Sequence, residues 1–126
     1  MSHFLKIGIA AITLLALSAC TRTTPLQDAM QDMAQGLKTL ARAKQENERE
    51  QGLAQFKLAL TMAKTMQVKP EDQADYDKGL VEIGDTLAEL EAAIQTGDRK
   101  VIGEVVKKIK KIKDSYHEKI IDEPQR

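Results

Sequence analysis

The chain predicts an all-α fold, an antiparallel up-down-up-down four-helix bundle, and three observations carry that expectation. Apolar residues recur at intervals of three and four through four successive segments, the repeat that keeps one face of a helix apolar. Strand signals are missing: there is no alternating β-branched run, and no Asn-Gly pair closes a hairpin. Aromatic supply is poor, with two Phe, two Tyr and no Trp. The core must then be mostly Leu, Ile, Val, Met and Ala, which suits helices packing through aliphatic side chains.

Residues 1–19 read as a leader that is not part of the fold. Lys6 supplies positive charge, Ile7 to Leu17 is apolar but short for a membrane span, and small residues follow at Ser18 and Ala19. Leu17-Ser18-Ala19-Cys20 resembles the bacterial lipobox, whose cysteine is lipidated and becomes the new N-terminus. Cys20 is the single cysteine, so the chain has no disulfide framework and no CxxC or CxxCH motif. The lipobox resemblance implies a periplasm-facing lipid anchor at Cys20, with residues 20–24 as lipidated cysteine and tether. Thr21 after the cysteine, in place of Asp, points to the outer membrane. The alternative is an ordinary signal peptide that ends by chance at a cysteine.

The bundle is expected over residues 25–121. Thr24-Pro25-Leu26-Gln27 opens the first helix, with Thr24 as N-cap, Pro25 in the first turn and Gln27 placed for a capping box. Its apolar stripe is Leu26, Met30, Met33, Leu37 and Leu40. Asn47, with Glu50 three residues on, is the expected cap of the second helix, whose stripe is Leu53, Phe56, Leu60 and Ala63, then Met66. Val68-Lys69-Pro70 breaks that pattern, and Pro70 starts the third helix. The third stripe is Tyr76, Leu80, Ile83, Leu87, Leu90 and Ile94. Gly97 ends that helix and Asp98 caps the fourth, which carries Ile102, Val105, Val106, Ile109, Ile112, Tyr116 and Ile120. Residues 122–126, with Pro124, form a tail.

Charge narrows the function classes. Nineteen basic residues balance nineteen acidic ones, so no field favours nucleic acid. Lys107, Lys108, Lys110, Lys111 and Lys113 are interleaved with Ile109 and Ile112, as on the solvated side of an amphipathic helix. Glu82, Asp85, Glu89 and Glu91 on the third helix could balance them; a face for an acidic partner or anionic headgroups is the functional alternative. With one mature histidine and no mature free cysteine beyond the lipidation site, there is no nucleophile, metal cluster or phosphate loop, and no enzyme is expected.

That histidine is His117, about five residues from the end of the fourth helix; Met30 is about five residues into the first. In an up-down-up-down bundle these two ends share one end of the molecule. At ~1.5 Å per residue each lies roughly 7–8 Å deep. A thioether and an imidazole meeting there could hold a haem iron. Taken singly, each has a plainer explanation: methionine fills cores, and a histidine at a stripe edge near a helix end is commonly at the surface.

Gln27-Asp28-Ala29-Met30 and Ser115-Tyr116-His117-Glu118-Lys119, together with Gly97 twenty residues before His117, resemble the cytochrome b562 family. The resemblance runs from about Leu26 to Ile121. It implies a b-type haem at one end of the bundle, with Met30 and His117 as the iron ligands. Met33 is a rival thioether one turn away, and the resemblance favours Met30. Where the family usually has Phe on the third helix against the macrocycle, this chain has Tyr76, then Leu80 one turn on. Lys113 replaces an arginine near the propionates one turn before the histidine. Without CxxCH the haem b is expected to be non-covalent.

The function implied is a periplasmic, haem-binding single-electron carrier with Met/His ligation, lipid-anchored through Cys20, whose redox partner the sequence does not name. The alternative is a haem-free helical envelope lipoprotein that binds a partner or has a structural role.

Overall fold

Four helices follow one another along the chain: α1 Pro25–Arg42, α2 Glu46–Lys64, α3 Pro70–Thr96 and α4 Arg99–Ile121. The computed structural model describes residues 24–121. The expected leader, the lipidation site Cys20, the tail 122–126 and the side chain of Ile120 lie outside the described residues.

Local chemistry sets the helix ends. At α1 the Thr24 hydroxyl accepts from the Gln27 N–H at 3.2 Å, and the Gln27 side-chain oxygen accepts from the Thr24 N–H at 3.0 Å. Two of the donors a helix start leaves orphaned are thereby satisfied reciprocally. The start of α2 departs from expectation: the cap is Gln45, not Asn47. Glu48 explains the shift, because its carboxylate accepts from the N–H groups of Lys44 at 2.8 Å and Gln45 at 3.3 Å. Those bonds hold the Glu48 carboxyl below the usual carboxylate range. Asn47 lies inside the first turn, where its side chain accepts from the neighbouring Glu48 N–H.

Pro70 opens α3, where its missing N–H costs nothing. Gly97 closes it with φ +66°, a conformation that a β-carbon disfavours. Asp98 then caps α4 by accepting from the Lys100 N–H at 2.9 Å.

Helices consecutive in the chain pack on one another, α1 also meets α4, and the backbones of the diagonal pairs do not approach closely. Short links and this ring of contacts make an antiparallel up-down-up-down four-helix bundle. Packing is closest within the hairpins. A β-carbon on Gly36 would lie 2.8 Å from the Phe56 backbone nitrogen and 2.9 Å from the Gly52 carbonyl oxygen. The α1 and α2 backbones therefore touch where these two glycines face each other.

The stripes supply the core, with some exchange of members. Met33, Leu37, Leu40, Phe56, Leu60, Leu80, Ile83, Leu90, Ile102 and Ile109 are buried, and Ala29, Ala59, Ala63 and Ala93 fill between them. Leu26, Met30, Leu53, Leu87, Ile94 and Ile112 are only partly buried. At one end α3 outruns its neighbour. Tyr76, six residues into α3, already reaches the carbonyl of Ala63, the penultimate residue of α2. The first turns of α3 and the last turns of α4 thus stand beyond the end of α2, and residues 65–69 cross the gap.

Candidate functional site

Helices of unequal length leave a cavity where the two hairpins meet at that end. It has a volume of about 970 Å³, at the upper end of the range usual for small-molecule and cofactor sites. Three helices and one link form the wall: the start of α1, the residues just after α2, the start of α3 and the end of α4.

All five side chains that the sequence singled out for the site border this cavity: Met30, Tyr76, Leu80, Lys113 and His117. Met30 is partly buried five residues into α1, and His117 is exposed four residues before the end of α4. Among the described residues nothing hydrogen-bonds the His117 imidazole. Met33 also lines the cavity but is buried among core side chains, whereas Met30 is less covered. The rival thioether is the more deeply packed of the two.

The walls are largely apolar. Leu26, Met66, Val68, Leu80 and Ile83 line them, with Thr24, Gln27, Gln31 and Gln67 among the polar lining residues. Tyr76 presents its buried ring and spends its hydroxyl on the Ala63 carbonyl, so its polar tip is satisfied inside the protein. Burial first, then nearby Asp77, pushes the Tyr76 pKa up. Lys113 is half-buried and its ammonium lies 3.8 Å from Asp114.

Three lining residues of α4, namely Tyr116, Lys113 and His117, fall within an arc of about 100° at ~100° per residue. Tyr116 turns toward α3. Its hydroxyl donates to the Glu82 carboxylate at 2.7 Å, and its ring lies where a β-carbon on Gly79 would come within 2.8 Å. The Lys119 ammonium stands over the ring, 4.9 Å from its centroid. The bond to Glu82, then burial, pushes the Tyr116 pKa up to about 12.

Gly79, Tyr116, Met66, Gln67 and Val68 are among the site residues that sequence reasoning missed in this role. A signal existed for Gly79: it lies three residues after Tyr76 on the apolar stripe, and glycine inside a helix often marks close approach. No local pattern marks residues 66–68, whose place depends on how the link crosses the gap.

Of the expected charge pairs between α3 and α4, Lys108 reaches Glu89 at 2.7 Å, while Glu91 lies 3.7 Å from Lys57 of α2. Lys107, Lys110 and Lys111 are exposed. No helix among the described residues is long and apolar enough to cross a membrane.

The donor set fits a haem iron: one soft thioether and one imidazole with no competing partner, both on an apolar cavity with a lysine beside them. Comparison with known proteins bears on the same group. The family model described as Cytochrome b562 matches residues 25–120, which is nearly all of the bundle. Searches of the curated proteins and of the solved structures returned no match.

Proposed function

The chain belongs to the cytochrome b562 family, and on that premise we propose that it is a periplasmic b-type cytochrome. In this reading it carries single electrons and would hold haem b non-covalently, with Met30 and His117 as the side chains that bind the iron. One observation carries the proposal: a thioether from α1 and an imidazole from α4, far apart in sequence, open on one apolar cavity of suitable size.

When bound, haem supplies one-electron redox chemistry, and a Met/His pair raises its potential. The chain's own residues do the rest. Leu26, Met66, Val68, Leu80 and Ile83 exclude water, and the Tyr76 ring forms part of the α3 wall. Lys113 supplies a positive charge for a propionate as a point charge, without the bidentate fork of arginine. With Met30 and His117 both holding the iron, the group would serve to pass single electrons. In the same reading Cys20 anchors the protein by lipid, with the outer membrane as its site.

Titration of the purified apoprotein with haem tests the ligands. The expected outcome is a low-spin six-coordinate visible spectrum at one haem per chain. His117→Ala is expected to abolish it, and Met30→Ala to convert it to a high-spin form with affinity lowered at least tenfold. Wild-type protein that takes up no haem would sink the proposal.

A further inference from the structure

We propose that Tyr116 is the positioning residue for His117: its ring seated on Gly79 and its hydroxyl bound to Glu82 fix the rotation and register of the last turns of α4. Residue 117 is then held toward the cavity. The inference rests on the reading of His117 as an iron ligand, and it adds a residue that touches neither the iron nor the ligand donor.

A ligand so close to a helix end starts at a disadvantage. The last four carbonyls of a helix have no intrahelical partner, and such ends fray. In α4 the core contacts thin out early. Ile109 is buried, Ile112 only partly so, and residues 117–119 are exposed. Tyr116 is the last buried side chain of α4 among the described residues, and the previous one lies seven positions, about two turns, before it. Removing its hold would leave the described side chains of residues 110–119 at most partly buried against the bundle.

The hold has two independent parts. Gly79 lacks the atom that would displace the ring, since a β-carbon there would lie 2.8 Å from Cγ and 3.1 Å from Cδ1 and Cδ2 of Tyr116. The 2.7 Å bond to Glu82 ties the ring's far tip to α3 a turn further along. A helix pinned at one side chain both radially and along its axis cannot rotate. The direction of the next side chain, about 100° around the axis, is then set as well. Lys119, one turn later, adds a cation–π contact to the ring. An ordinary core tyrosine would need neither the missing β-carbon nor the carboxylate.

The test separates this proposal from the haem reading. In the apoprotein, amide hydrogen exchange is measured for α4 in wild type, Tyr116→Phe, Glu82→Gln, Glu82→Leu and Gly79→Ala. Tyr116→Phe is expected to speed exchange about tenfold from residue 113 onward, the size expected of a hydrogen bond to a charged acceptor. Exchange at Ile102 to Ile109 should stay unchanged. Glu82→Leu should match it, the double variant should add nothing further, and Glu82→Gln, which still accepts, should stay near wild type. Gly79→Ala should reproduce the effect by moving the ring. With haem, Tyr116→Phe should raise the high-spin fraction and the haem dissociation rate by a similar factor.

Local exchange insensitive to Tyr116→Phe, or a uniform speed-up across all four helices, would overturn the proposal. Wild-type protein that binds no haem would instead overturn the ligand assignment, while the exchange data would still read the hold on the helix end.

Discussion

Tyr116 and Tyr76 look alike in the sequence, each an aromatic on an apolar stripe, yet their hydroxyls do different work. Tyr76 closes the end of α2 through a carbonyl, and Tyr116 ties α4 to a carboxylate of α3. The second arrangement has a pH signature. The Tyr116 pKa is pushed from an ordinary 10.0 up to about 12 in the fold, first by the hydrogen bond to Glu82, then by burial and by the charges of Glu82 and Asp75. The folded state thus binds this proton more tightly than the unfolded chain does. Its contribution to stability is whole below pH 10 and is lost as pH rises from 10 to 12. Urea melts at stepped pH should show that loss, with Tyr76 adding in the same direction. Tyr116→Phe should flatten the part due to Tyr116. A variant with an undiminished alkaline slope would mean that the bond to Glu82 is not what holds the proton.

The α1–α2 hairpin depends on a contact between backbones. Gly36 and Gly52 face each other so closely that a methyl group on either meets main chain or Leu40. Main chain cannot step aside as a side-chain tip can, so Gly36→Ala must push the helices apart or strain them. A destabilisation of about 1–3 kcal/mol is expected, the usual cost of overpacking. Gly103 offers the control, since a β-carbon there meets nothing within 4 Å. Gly103→Ala in mid-α4 should stabilise slightly through helix propensity, by about 0.8–1 kcal/mol. Thermal unfolding of the two variants should move the midpoint in opposite directions, and equal shifts would refute the close-contact account. The capping of α2 makes a related point about legibility. Gln45 and Asn47 both sit in a polar cluster of the right composition, and only the reach of Glu48 to Lys44 and Gln45 chooses between them.

Across the whole molecule, the cavity of about 970 Å³ between the hairpins leaves apolar wall side chains open to solvent. Covering them removes apolar surface from water. A ligand that binds only the folded state stabilises it by mass action, by about 2.7 kcal/mol when present at a hundred times its Kd. Saturating haem should therefore raise the melting midpoint by roughly 10–20 °C, at about 4–8 °C per kcal/mol for a domain near this size. Calorimetry of apoprotein and haem-loaded protein reads this directly. An unchanged midpoint in a sample that shows the low-spin spectrum would mean that the haem binds folded and unfolded chain alike, and would refute this account.

The four helices, their order, most of their caps and most core positions could be read from local pattern. Periodicity, proline and glycine placement, and capping side chains all act within a few residues of where they occur. Met30 and His117 could be named as candidates because topology alone brings the start of α1 and the end of α4 to one end of the bundle. Whether a cavity would open between them could not be read, because it depends on the relative lengths and register of helices joined through tertiary contacts. The partners of Tyr116 were equally hidden. Gly79 and Glu82 lie 37 and 34 residues before it, and only packing of α4 on α3 sets them against its ring and hydroxyl.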